Sequence, residues 1–268
     1  MANKKIAKKD DAALAAENLY GNMANAGFEN MGRDDLALPF INVLQTNSPQ
    51  VDPDDGIEGA KAGMFYNTVT QSLHADVIFI PLGIEKSFIE WQPRDQGGGG
   101  FVQQHDFDSP EVREAIQANG GSMGKIPFGS NELVETRTIY ALLLEEDAET
   151  VIGPAVINFT STKITPMKKM ISALRMIKGQ PPIFANRVSM STVKKEKDGN
   201  KYFTVAFEPA VGTTYVESLI HPEDMKDLLL DAADNFKLFK EGSMKADHAK
   251  SDGEVPEGTV EGDGSTPF

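Results

Sequence analysis

The order of elements that decides the fold lies in three segments: TRTIYALLL (136–144), VIGPAVINFTS (151–161) and TPMKKMISALRMIKG (165–179). The first two are rich in β-branched and aromatic residues, and the acidic turn between them predicts two consecutive strands. The third has apolar residues at helical spacing, a proline at its start and a glycine at its end. These features predict a helix directly after the second strand.

Further strands on either side complete a known element order. Ala75–Leu82 (ADVIFIPL) and Ser87–Trp91 predict one bent strand, and Ile183–Val193 with Tyr202–Pro209 predicts a hairpin. The resulting order is that of an OB-fold, a five-stranded Greek-key barrel with a helix between strands 3 and 4. We therefore expect a mainly β chain of the α+β class, with an inserted helix after Ser109 and a C-terminal helix.

Composition divides the chain into three regions. We expect a flexible N-terminal arm at residues 1–35, where glycines interrupt any helix, and an OB-like domain at 36–242 with an insertion near 93–132. We expect residues 243–268 to form a disordered acidic tail. Its last part, 251–268, has five acidic residues, four glycines, two prolines and no basic residue, a composition that cannot bury a core.

Enzyme signatures are weak in this sequence. The absence of cysteine excludes disulfides, zinc–cysteine sites, iron–sulfur clusters and thiol catalysis. Motif reading finds no metalloprotease, serine-hydrolase or Walker pattern, so we predict no catalytic residue, cofactor or metal. His105, Asp106 and Asp108 could hold a metal ion in principle, but a polar loop explains them better. No apolar run approaches 18 residues, so we also predict no membrane span.

Charge is strongly segregated along the chain. The net charge is −14, yet residues 163–201 carry ten basic and two acidic residues, or +8, which leaves −22 for the rest. Cations on a helix and the following hairpin can line one groove and displace counterions from a phosphate backbone, while nearby aromatic rings stack on bases. The alternative is a solvated helix face and a charged turn. The candidate DNA-binding residues of this segment are Lys163, Lys168, Lys169, Arg175, Lys178, Phe184, Arg187, Lys194, Lys195, Lys201 and Tyr202.

A second candidate contact lies at EWQPRDQ (90–96), which four glycines follow. Trp91 and Arg94 together could stack on a base and bind a phosphate. The glycines do not form a phosphate-binding loop, because no Gly-Lys-Ser/Thr follows them. A lone tryptophan at a strand end also packs into cores, and both interpretations of Trp91 stay open.

The chain ends EGDGSTPF (261–268), and this acidic stretch with a final Pro-Phe resembles the C-terminal tip of bacterial single-stranded DNA-binding proteins. Asn67–Thr70, Val77–Pro81 and the segment at 90–96 are similar to stretches in phage proteins of that type. An aromatic ring beside a chain-terminal carboxylate suits an apolar pocket with a cationic rim. We therefore predict a partner-binding site at Asp263, Pro267 and Phe268, the alternative being a solubilising tail.

The resemblance implies a phage protein that binds single-stranded DNA without sequence preference during DNA replication, recombination and repair. It implies that the tail recruits replication proteins such as a polymerase, a primase–helicase or a nuclease. It also implies residence in the cytoplasm of the infected bacterium, with no membrane partner, and leaves assembly into a homo-oligomer open. The rival hypotheses are a recombination strand-annealing protein and an acidic phage structural or scaffold protein that does not bind nucleic acid.

Overall fold

Ten strands form two sheets in the part of the chain that the computed structural model describes, namely residue 27 and residues 37–93, 100–197, 199–223, 225–244 and 246–248. The small sheet contains β1 (Ile41–Val43), β2 (Phe65–Asn67) and β3 (Leu73–His74). The large sheet contains β4 (Val77–Trp91), β5 (Phe101–Asp106), β6 (Lys125–Phe128), β7 (Asn131–Leu144), β8 (Val151–Thr160), β9 (Val188–Lys197) and β10 (Asn200–Pro209).

Three α-helices accompany these sheets in the described residues: α1 (Pro110–Ala118), α2 (Ile164–Arg175) and α3 (Lys226–Lys240). They are the predicted inserted, central and C-terminal helices, and together with the antiparallel ladders they confirm the α+β class. None of them is long and apolar enough to cross a membrane. The chain divides into two units, 1–37 and 38–268, and nearly all of the first lies outside the described residues.

Five strands of the large sheet follow the predicted barrel order. β4 pairs with β7, β7 with β8, β4 with β9, and β9 with β10, so these strands take the places of strands one to five. The ladder between β8 and β10 that would close the barrel is absent from the described residues. The expected five-stranded barrel order is therefore present, and in the described residues the barrel is open, with a seam between its third and fifth strands.

Residues of the small sheet and its flanks fill this seam. On one side Phe40 forms a parallel bridge with Val156 of β8. On the other side the side-chain amide of Gln45 pairs with the backbone of Phe203 in β10: Nε2 donates to the carbonyl at 3.0 Å, and the Phe203 N–H donates to Oε1 at 2.9 Å. The Gln45 amide thus replaces the backbone of a missing strand. Ile41 and Phe65 of the small sheet are buried and add their side chains to the barrel core.

The barrel core lies between the strands and α2. Met167, Met170 and Leu174 of α2 are buried in it at the predicted helical spacing, and each fully buried side chain of this size contributes about 1.5–3 kcal/mol. A short 3-10 turn, Ser161–Lys163, leads directly into α2. The helix therefore starts at Ile164, one residue before the segment 165–179 in which it was predicted.

A second core lies on the outer face of the same strands, under α3. Phe239 packs on Tyr140 with ring centroids 4.8 Å apart, and Phe236 packs on Phe184 at 4.9 Å. Gly83, where β4 has a bulge, lets the Phe239 ring lie directly on the backbone. Strands β4 and β7 are consequently covered on both faces.

Beyond the barrel, β4 and β7 continue as a two-stranded arm. β5 and β6 pair with its edges, and α1 covers a small core that includes Phe88, Val112 and Leu133. This is the insertion predicted near 93–132. The helix was predicted, whereas β5 and β6 were not.

The contact between α3 and Gly83 can be tested with Gly83→Ala. A Cβ there would overlap the Phe239 ring, so we expect the free energy of unfolding to fall by about 1–3 kcal/mol, as for other overpacked sites. Urea unfolding followed by Trp91 fluorescence measures this. Gly100→Ala is the matched control, because a Cβ at Gly100 meets open space. Equal stability of the two variants would contradict the packing described here.

Candidate nucleic-acid interface

Most of the predicted basic residues lie on two exposed surfaces. The helix group consists of Lys168, Lys169, Arg175 and Lys178 on and just after α2, and the hairpin group consists of Lys194, Lys195 and Lys201 at the outer end of β9 and β10. All seven side chains are exposed. In the part of the chain that the structure describes, none of the seven forms an ion pair with a carboxylate.

The hairpin group lies on the part of β9 and β10 that extends beyond the ladder with β4. The pairing of β9 with β4 ends at Met190, opposite Val77, and β9 continues seven residues further to Lys197, a distance of about 24 Å along the strand. Lys195 lies directly opposite Tyr202, so the cation and the half-exposed ring share one face of the hairpin. Binding of one nucleotide needs a cation for the phosphate and, close to it, an aromatic ring for the base.

A hydrogen bond joins β10 to the turn that precedes α2. The Thr204 hydroxyl of β10 donates to the Thr162 carbonyl at 3.1 Å, and Thr162 belongs to the turn that leads into α2. The start of the basic helix therefore lies beside the strand that carries Tyr202, two residues away. Lys163, half-buried, follows Thr162 at this junction.

Arg187 does not belong to this surface, which corrects its prediction as a DNA contact. Only 1% of the residue is exposed, and its guanidinium donates to the backbone carbonyls of Ala148 at 3.0 Å and Ser218 at 3.3 Å. Burial lowers the pKa of the guanidinium. The strand predicted over Ile183–Val193 begins only at Val188, after a 3-10 turn at Ile183–Ala185, so Arg187 does not lie on a strand.

The aromatic candidates Trp91 and Phe184 are packing residues. Of the two interpretations of Trp91 the structure has the core one, and the base-stacking prediction for Phe184 is corrected. Trp91 is 5% exposed and lies edge-on to Phe101, with ring centroids 6.2 Å apart. Phe184 packs under α3. Arg94 and the predicted tail site, Asp263, Pro267 and Phe268, lie outside the described residues.

The residues once considered for a metal ion are not brought together. His105 is buried beneath α1, and its Nε2 lies 2.8 Å from Glu90 Oε2, while the Asn131 amide donates to the other oxygen of Glu90. Among the described residues no group of three or more His, Asp or Glu side chains could hold a metal ion. The His105–Glu90 pair instead joins β5 to β4 inside the arm.

The outer face of β7 and β8 carries a contact that sequence reasoning missed. His248, 2% exposed, stacks on Phe101 at 6.1 Å with 26° between the rings, and its Nδ1 accepts a hydrogen bond from the Asn158 amide at 3.3 Å. The Ala246 N–H donates to the Tyr140 hydroxyl at 3.1 Å. Residues 246–248, assigned from composition to the acidic tail, are thus packed on the barrel and are called the C-terminal segment below.

Burial sets the protonation of this contact. It lowers the pKa of His248 to about 4, so the ring is neutral at physiological pH and can accept the Asn158 hydrogen bond. Burial also raises the pKa of Tyr140, whose hydroxyl donates to Glu85 at 2.9 Å. Tyr140 is therefore a neutral donor to Glu85 and a neutral acceptor for Ala246.

The His248 contact predicts a pH-dependent release of the C-terminal segment. The folded pKa, about 4, is below the ordinary value near 6.5, so the contact is fully stable above pH 6.5 and is lost as the pH falls toward 4. The total change is up to about 3 kcal/mol. The protection factor of the Ala246 amide, which is its intrinsic exchange rate at each pH divided by its observed rate, should fall across this range. In a His248→Phe control, whose ring cannot take up a proton, the protection of the Ala246 amide should not change with pH. Titration of His248 near 6.5 with the segment still docked would contradict the assignment.

Comparison with known proteins gives one family and no individual relative. The profile of a family described as Pam3 phage gp34-like protein matches residues 8–245, which is most of the chain. No curated protein and no solved structure matches the chain.

Proposed function

We propose that this chain, which belongs to the Pam3 phage gp34-like family and is thus a phage protein, binds single-stranded DNA without sequence preference. One observation carries the proposal: a net acidic chain places seven exposed cations without an ion-pair partner among the described residues on one helix and the hairpin beside it. Solubility of the protein does not require its basic residues to be concentrated on one helix and one hairpin. The barrel order of the strands supports the same function, since OB-folds bind oligonucleotides.

In the proposed complex the helix and hairpin groups neutralise phosphates, and Tyr202 stacks on a base. Phosphate contacts carry no sequence information, so binding tolerates any sequence. Each neutralised phosphate releases condensed counterions, and the affinity for a single strand falls with salt by a slope of about 0.7 per contact. The acidic remainder of the chain disfavours the stiffer, more highly charged duplex.

The same proposal extends to the biology of the phage. The protein would coat single strands in replication, recombination and repair, in the cytoplasm of the infected bacterium, without catalysing a reaction and without a cofactor. Phe268, Pro267 and Asp263 would bind a replication protein such as a polymerase, primase–helicase or nuclease.

Charge reversal on the helix group tests the interface. We expect Lys168→Glu with Arg175→Glu to weaken oligo(dT) binding about tenfold to a hundredfold at low salt and to reduce the salt slope by about 1.4. Fluorescence anisotropy with single-stranded and double-stranded oligonucleotides at several salt concentrations measures both. The matched control is Lys226→Glu with Lys237→Glu, which makes the same charge change on exposed residues near the two ends of α3.

The outcomes separate the rival functions. Equal losses of oligo(dT) affinity in the two double variants would show that α2 is not part of the DNA interface. No salt-sensitive binding at all would favour an acidic structural or scaffold protein. Rapid pairing of complementary strands at low protein concentration would favour an annealing protein.

The acidic residues of 251–268 are expected to compete with DNA for the two basic groups. Replacement of the five acidic residues in 251–268 by their amides, in the full-length chain, should tighten oligo(dT) binding at low salt and lose this effect at high salt. Replacement of Thr259, Ser265 and Thr266 by alanine keeps the charge and is the control. Unchanged oligo(dT) affinity in the amide variant would contradict the proposed competition.

A further inference from the structure

We propose that the outer face of β7 and β8 beside Phe101 is a binding subsite for one unpaired nucleobase, and that the C-terminal segment, residues 246–248, fills it until a single strand displaces the segment. The inference rests on the proposed function and adds to it a named site and a named competitor. It concerns a neutral aromatic contact and not the acidic residues that follow.

The first argument is the way in which the site holds the His248 ring. The imidazole is a planar heterocycle stacked on Phe101. The Phe40 ring is tilted by 50° against it at 5.7 Å, and the Asn158 amide donates to a ring nitrogen. Unpaired bases are bound by aromatic stacking and by hydrogen bonds to their ring edges. A site that accepts an imidazole in this manner has the chemistry to accept a base.

The second argument is that the polar groups are fixed before the ring arrives. The Thr138 hydroxyl donates to Asn158 Oδ1 at 2.8 Å, which turns the amide nitrogen toward His248. The Tyr140 hydroxyl gives its proton to Glu85 and keeps its lone pairs for the Ala246 N–H. Glu85 is held in turn by the Gln104 amide at 2.8 Å.

These groups offer a ligand one donor, from Asn158, and one acceptor, on Tyr140. Each of the four bases presents at least one acceptor and one N–H donor on its pairing edge. Such a site binds a base without choosing among the four, as a sequence-tolerant protein requires.

The C-terminal segment can leave without unfolding the barrel. α3 ends at Lys240, and Gly242, with φ of +71°, turns the chain away from the helix. The packing of Phe239 and Met244 lies on the α3 side of the segment, so α3 stays docked when Ala246 and His248 are released. A base and the His248 ring cannot occupy the same volume, so binding is exclusive.

The experiment uses the full-length chain and labelled oligo(dT). With His248→Ala the site no longer has its occupant, and we expect affinity to rise about threefold to thirtyfold, because the open form becomes the dominant one. The gain should be lost when Asn158→Ala is added. His248→Phe keeps a ring over Phe101 and is the matched control, with a smaller gain or none.

A readout on the unmodified protein makes the test independent of any variant. His248 is one of four histidines, so its ring signals can be followed by NMR. On saturation with oligo(dT) the pKa of His248 should move from about 4 toward the ordinary histidine value as the ring enters water. The exposed His221 is the internal reference.

Failure of this inference and failure of the proposed function give different results. Salt-sensitive binding that needs the helix group, with His248 signals and His248→Ala affinity unchanged, would overturn the subsite and leave the function. An absence of binding by every form of the protein would overturn both.

Discussion

The rest of the structure depends on how an unclosed barrel seals its seam. Without a ladder between β8 and β10, the core side chains of both strands would be exposed and their edge backbone groups unpaired, and each buried unpaired group costs about 1–3 kcal/mol. The Gln45 amide supplies a donor and an acceptor to the backbone of Phe203. On the other side of the seam, Phe40 forms a backbone bridge with Val156. This arrangement fixes β10, and β10 in turn places the hairpin beside the start of α2.

A second constraint arises because β7 is buried on both faces. Ile139 and Ala141 point into the barrel core, while Tyr140 and Leu142 point to the outer core under α3. The face of strands two and three, which binds oligonucleotides in OB-folds, is therefore covered over much of its length in this chain. In the proposed complex the exposed cations on α2 and the hairpin would therefore make the first contact with DNA, and a base would then bind in the small area under His248.

Local sequence patterns made much of the fold predictable. The rest could not be predicted, because it depends on pairing between residues that are far apart in the chain. Alternation and turn residues gave the barrel strands, and apolar spacing gave α2 with the correct buried face. The Gln45–Phe203 pair joins residues 158 positions apart and the Asn158–His248 pair residues 90 apart, and no local signal marks either one. Arg187 was misassigned for the same reason. The carbonyls of Ala148 and Ser218 that make its burial tolerable lie in other parts of the chain. The lysines of α2 and the hairpin are exposed. Their exposure follows from the local pattern of the helix or hairpin that carries them and needs no knowledge of distant residues.

Two competitors of different physical kind would then act on one DNA-binding protein. In the proposed complex the acidic residues would compete with phosphates for the cations, and salt would weaken this competition because the Debye length is only about 10 Å at 0.1 M. The His248 ring would compete with a base by stacking and by one hydrogen bond between neutral groups, which salt barely changes. A rise in salt would therefore remove the acidic competitor and weaken the phosphate contacts, while the C-terminal segment would stay bound at the proposed base site. The proposal thus assigns the electrostatic and the stacking parts of the competition to two stretches of the chain, 251–268 and 246–248.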